Sequence, residues 1–182
     1  MVDPRWLYCP FWCEENVWHL LQHDDLRGRP AAAVVVANAT RSCALWAQRA
    51  ASSPSEPVVW DYHVLAVVGG ARPEAWDLDS IRLPGSPLAD WLLATLPYGD
   101  RAPQDLIPRF RVVPAAEYLR VLSSDRRHMR SDDGGWRSPP PSWPAIVRPE
   151  APFALGELLD VSSGIAGTVV EAGGLLSAVQ QL

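Results

Sequence analysis

At 182 residues, 48% of them hydrophobic, the chain is long enough to bury one sizeable core, and a single domain over 1–182 is expected. A net charge of -5 with no basic run argues against nucleic acid as a partner. No stretch approaches the roughly 18 apolar residues of a membrane span, and the opening MVDPRWLYCP lacks a secretory pattern, so a cytoplasmic monomer away from membranes is expected.

In chain order, the first predicted element follows FWCEENVWHLL (11–21). Val17, Leu20 and Leu21 recur at helical spacing behind Cys13, which predicts a helix over about 13–25 with Glu14 and Glu15 in its first turn. A cysteine at a helix start suits a reactive thiolate, because the N–H groups and the positive end of the helix dipole stabilise an anion there. It also suits an inert buried thiol, and the stretch alone permits both. His19 and His23 stand four apart, a metal-binding spacing, but no third ligand accompanies them; they are expected at the solvent face, and no metal or other cofactor is expected. Cys9, Cys13 and Cys43 make neither an even disulfide set nor a zinc pattern, and free thiols fit a reducing compartment.

AAAVVVANA (31–39) and CALWAQR (43–49) predict two antiparallel strands. VVWDYHVLAVV (58–68), the turn GGARPE and AWDLD (75–79) predict a third and a fourth. A helix over 87–96, a strand over 109–113 and a helix over 114–123 with proline in its first position follow. The proline-rich RSPPPSWPAIVRPEAP (137–152) precludes helix or central strand and reads as a surface strap; a strand in GIAGTVVEA and a short helix close the chain. The expected fold class is α+β, a mostly antiparallel sheet with flanking helices.

A hairpin of the third and fourth strands centred on Gly70 pairs residues whose numbers sum to about 140, which sets His63 opposite Asp77 and Asp61 opposite Asp79. Opposed Cβ atoms lie about 4.5–5.5 Å apart, close enough for an imidazole N–H to reach a carboxylate. Alternation sends these four residues to one face and Trp60, Tyr62, Val64, Trp76 and Leu78 to the other. The polar face is either wet or a site. A cysteine nucleophile needs a base, and the base an orienting acceptor; Cys13, His63 and Asp77 supply that set of residue types.

The blocks CEEN (13–16), WDYHV (60–64), DLD (77–79), FRV (110–112), SDRRHM (124–129) and Trp136 followed by PPP (139–141) resemble, in order, those of the protein N-terminal glutamine amidohydrolases. Trp12 departs from them, standing where that family has tyrosine. The resemblance implies a papain- or transglutaminase-like fold and deamidation of an N-terminal glutamine of a protein or peptide to glutamate, with release of ammonia through a cysteine thioester. It implies Cys13 as nucleophile, His63 as base and Asp77 as orienting acid.

Such a substrate carries an α-ammonium, for which Asp61 and Asp79 are the candidate wall, with an internal cation from Arg126 or Arg127 as the alternative. The indole of Trp12 is the candidate second oxyanion donor beside the Cys13 N–H. Another Cys-His-Asp acyl-transfer enzyme, a protease or transglutaminase, is the competing activity. A catalytically silent module that binds N-termini is the competing non-enzymatic reading.

Overall fold

The architecture is organised by its most apolar stretch. β1 (Ala31–Ala37) is buried along its whole length, as a strand covered on both faces must be. Ala31, Ala33, Val35 and Ala37 enter one core, and Ala32, Val34 and Val36 enter the other. Each fully buried valine contributes about 1.5–3 kcal/mol by leaving water. The computed structural model describes residues 2–53 and 55–182 of this one small domain.

β1 has strands on both edges: β4 (His63–Val68) on one and β7 (Arg109–Pro114) on the other, both antiparallel. With β5 (Glu74–Trp76), β6 (Ser86–Pro87) and β8 (Thr168–Val170) they make a six-stranded antiparallel sheet in the order β6-β5-β4-β1-β7-β8. On one face lie α1 (Cys13–Leu20), α3 (Ala115–Val121) and α4 (Leu155–Leu159). On the other lie α2 (Leu88–Thr95) and α5 (Ala172–Gln180). Helices on both faces of an antiparallel sheet fulfil the α+β expectation, and among the described residues no helix is long and apolar enough to cross a membrane.

Three local expectations are corrected. First, residues 43–49 do not pair with β1, whose two edges are taken; β2 (Cys43–Leu45) pairs instead with β3 (Val58–Trp60) in a separate two-stranded ladder. Second, the predicted strand 58–68 breaks at Asp61 and Tyr62, so that β3 and β4 belong to different sheets. Third, the hairpin pairs Ala66 with Trp76 and Val67 with Ala75, so paired numbers sum to 142. A slip of two keeps the side chains of the paired strands on their predicted faces, because the side-chain period is two, while Trp60, beyond the break at 61–62, comes to the His63 side instead of the opposite one.

The polar face of that hairpin is covered at His63 and Asp77, where α2 and α5 pack over it, and stays open at Asp61, which is exposed. α1 ends at Leu20, short of the expected 25, where the chain turns toward β1. His19 is not a surface residue in open solvent; its ring packs between Trp18 and Trp143, 5.0 Å from each. Residues 137–152 form no helix or regular strand, and Trp143 from this segment donates its indole N–H to Glu15 on α1 at 2.7 Å.

Candidate active site

β4 and the segment leaving β5 carry the first part of the site. His63 Nε2 lies 3.0 Å from Asp77 Oδ1, and both side chains are about 1% exposed. Asp77 also accepts the Asp79 N–H at 3.0 Å, the Trp91 indole N–H at 3.0 Å and the Gln48 amide at 3.5 Å. With this many donors around it Asp77 is a carboxylate, so His63 Nε2 is the donor of the pair and Nδ1 is the nitrogen left to act as a base. Nδ1 is buried and has no hydrogen-bond partner. Trp60 stacks on the imidazole with centroids 5.7 Å apart.

Burial alone would lower the His63 pKa, but the carboxylates of Asp77 and Asp79 outweigh it, and the imidazole titrates above its ordinary value. Burial would raise Asp77, and His63, Trp91 and the Asp79 N–H hold it below the usual carboxylate value. The linkage follows from these directions. The raised His63 favours the folded state fully below its unfolded pKa near 6.5, an advantage lost as pH rises through the folded value. The lowered Asp77 favours it above 3.8, an advantage lost as pH falls through the folded value. The stability difference between the wild-type chain and His63→Asn, measured by urea unfolding, is therefore expected to be largest between 3.8 and 6.5 and to shrink at alkaline pH. A pH-independent difference would show that the pair does not titrate as described.

The second part comes from α1. Cys13 opens the helix and is 6% exposed at a cleft of about 360 Å³, within the range of small-molecule sites. Asp61, Asp79, Trp60, Tyr62 and His128 line the same cleft. Burial pushes the Cys13 thiol well above its usual value and the Glu14 and Asp79 carboxylates add to this, while the backbone N–H of Val64, the residue after His63, favours the anion.

The two glutamates behind Cys13 part company. Glu15 turns to Arg126, which holds it with Nε at 2.8 Å and Nη2 at 2.7 Å. Glu14 stays at the thiol, with Oε2 3.7 Å from the sulfur.

Trp12 is fully buried, and its indole N–H donates to the Pro139 carbonyl at 2.9 Å. That N–H is spoken for, which removes Trp12 as oxyanion donor; the ring instead fastens the proline-rich segment to the start of α1. Asp61 and Asp79 do face one cleft, and neither expected internal cation reaches them, since Arg126 is bound to Glu15 and Arg127 to Asp125. Asp79 accepts the Tyr8 hydroxyl at 2.6 Å, and burial raises its pKa.

Among the described residues, His63, Asp77 and Asp79 alone gather ligand atoms within 4.8 Å of one another. The imidazole, indole, backbone and phenol donors just described occupy that carboxylate pair, which suits a hydrogen-bonded acid–base group better than a metal cage. Reasoning from sequence missed Trp91, Gln48, Tyr8 and His128. His128 alone has a signal, inside the SDRRHM block; the other three are reached only through the tertiary fold.

A family model described as N-terminal glutamine amidase matches residues 8–179. The chain is 36% identical over 170 residues to a protein N-terminal glutamine amidohydrolase of Caenorhabditis elegans, covering 90% of each chain. It is 37% identical over 168 residues to proteins of the same name in Drosophila erecta and Drosophila melanogaster, covering 86% of this chain and 80% of theirs.

Proposed function

The chain belongs to the N-terminal glutamine amidase family, and from that membership we propose that it hydrolyses the side-chain amide of an N-terminal glutamine, yielding N-terminal glutamate and ammonia. The observation that carries the mechanism is a cysteine at the start of a helix, facing a cleft, beside a strand whose histidine is held by a buried carboxylate. Cys13 is the nucleophile, His63 the acid and base, Asp77 the group that orients it. A reducing cytoplasmic compartment suits a site built on a free thiol, and Cys9 and Cys43 are free as well.

His63 Nδ1 takes the proton of the Cys13 thiol, and the thiolate so formed adds to the carboxamide carbon. His63 gives its Nδ1 proton to the departing nitrogen, ammonia leaves, and a γ-glutamyl thioester remains. Water then loses a proton to Nδ1 and attacks the thioester, and the sulfur leaves as thiolate with glutamate as product. One water is consumed and one ammonia released. Asp61 and Asp79 hold the substrate's α-ammonium, which keeps that amine from attacking the thioester itself. The support is their shared place on the cleft, with Arg126 and Arg127 held by Glu15 and Asp125; Asp79 also feels the Arg49 guanidinium, so Asp61 carries the argument most directly.

Ammonia release from peptides beginning with Gln, beginning with acetyl-Gln, beginning with Asn, or carrying Gln internally tests the activity. Only the free N-terminal Gln peptide is expected to react, and release from internal Gln overturns the reading in favour of a broader acyl-transfer enzyme. Asp61→Asn and Asp79→Asn are each expected to raise KM for the Gln peptide about tenfold, the scale of one lost charge-assisted hydrogen bond. An unchanged KM with reduced stability would assign these carboxylates to the fold.

A further inference from the structure

The chemistry proposed for Cys13 makes no use of its nearest charged neighbour. Glu14 has no exposed surface, and its Oε2 accepts from the Cys13 thiol at 3.7 Å and from the Tyr62 hydroxyl at 3.0 Å. Tyr62 has one hydroxyl proton, committed to Glu14. At the 3.2 Å contact between Tyr62 Oη and His128 Nε2 the imidazole is therefore the donor. The same Nε2 stands 3.4 Å from Glu14 Oε1, a buried oxygen with no hydrogen-bond partner. The Cys13 thiol and the Tyr62 hydroxyl both donate to Glu14, which accepts from both as a carboxylate does, and the His128 N–H that bonds Tyr62 Oη lies beside the free oxygen.

A carboxylate this close to sulfur opposes formation of the thiolate, because like charges within about 4–6 Å disfavour each other's ionised forms. His128 is the side chain placed to cancel it when its imidazole carries a proton on both nitrogens. It reaches Glu14 from the loop after α3, and it lines the cleft together with Cys13. We propose that His128 is a positioning residue that sets the ionisation of Cys13 by neutralising Glu14, with Tyr62 bridging the two.

Other groups face this cluster from the neighbouring elements. The thiol also meets Asp61 between β3 and β4, Asp79 after β5, and Tyr118 on α3, whose hydroxyl donates to the Glu14 carbonyl at 3.1 Å. Asp125 faces His128 from its own loop. These surroundings are common to all the variants below, so differences between variants report the Glu14–His128 interaction.

The inference rests on Cys13 as the functional thiol, and its test does not depend on turnover. Alkylation of the full-length chain by iodoacetamide across the pH range, read at Cys13 by peptide mass spectrometry, follows the thiolate fraction. His128→Asn is expected to move the midpoint up by about one pH unit and Glu14→Gln to move it down by about as much, the low end of what a nearby charge does to a pKa. In the double variant E14Q/H128N the midpoint is expected to match that of E14Q alone, since nothing is left to neutralise. His128→Lys, which keeps a positive charge, is expected to return the midpoint to the wild-type value or below it.

An equal shift from H128N in both backgrounds overturns the proposal, as does an H128K profile that coincides with H128N. Should E14Q fail to fold, the comparison of H128N with H128K decides alone. If the alkylation shifts appear but Cys13→Ser still releases ammonia, the nucleophilic role proposed for Cys13 fails and this coupling stands. If Cys13→Ser is inactive and the midpoints do not move, the reverse holds.

Discussion

Replacement of Cys13 by serine is expected to lower kcat for ammonia release from a Gln-initiated peptide by about 10^4-fold or more, the scale on which an enzyme loses rate when its nucleophile is removed. A serine hydroxyl occupies nearly the same volume, so the 6% exposed position stays filled and the fold is preserved. A hydroxyl gives up its proton far less readily than a thiol, so the attacking anion of the proposed first step is lost. Rapid quenching with a slow substrate should trap a covalent adduct on the wild-type chain whose mass is that of the peptide less ammonia, and none on C13S. Cys9→Ser is the control: Cys9 lies at the Pro139 carbonyl and outside the cleft, and its exchange should leave turnover intact. Residual activity in C13S within tenfold of wild type would mean that another group attacks the amide.

Arg126→Met is expected to destabilise the fold by about 3–5 kcal/mol, because it strands a buried carboxylate. Glu15 has no exposed surface, and apart from the Trp143 indole its charge is met by the two-pronged guanidinium of Arg126. Arg126 is 8% exposed, adopts φ 65°, and lies over the Trp12 ring at 5.3 Å. The pair thus locks α1, the 124–129 loop and the proline-rich segment around the cysteine. Replacing both partners, in R126M with Glu15→Met, is expected to recover most of the loss, since two apolar side chains leave no unpaired charge. Urea unfolding checks both variants, and the midpoint should fall for R126M without a change in slope. A loss below about 1 kcal/mol would show that water reaches Glu15 once Arg126 is gone.

Several elements were legible from residue order because their signals are local. AAAVVVA is apolar at every position, as a strand covered on both faces requires, and α1 shows its helical period behind Cys13. The His63–Asp77 hydrogen bond was also legible, although the register assumed for it was off by two, because face parity survives an even slip. The partner of β2 was not legible, nor was the break at Asp61 and Tyr62, since both depend on which sheet edges are already occupied.

Residue order carries the residue types of the site and their succession, the parity that turns His63 toward Asp77, and the family blocks around them. The tertiary structure alone decided where each donor and charge is spent. The Trp12 indole goes to a carbonyl in the proline-rich segment, Glu15 goes to Arg126, and Glu14 remains at the sulfur with Tyr62 and His128. The physical reason is that hydrogen bonds and buried charges are satisfied by whatever packs nearest, and these partners come from segments far apart in the chain.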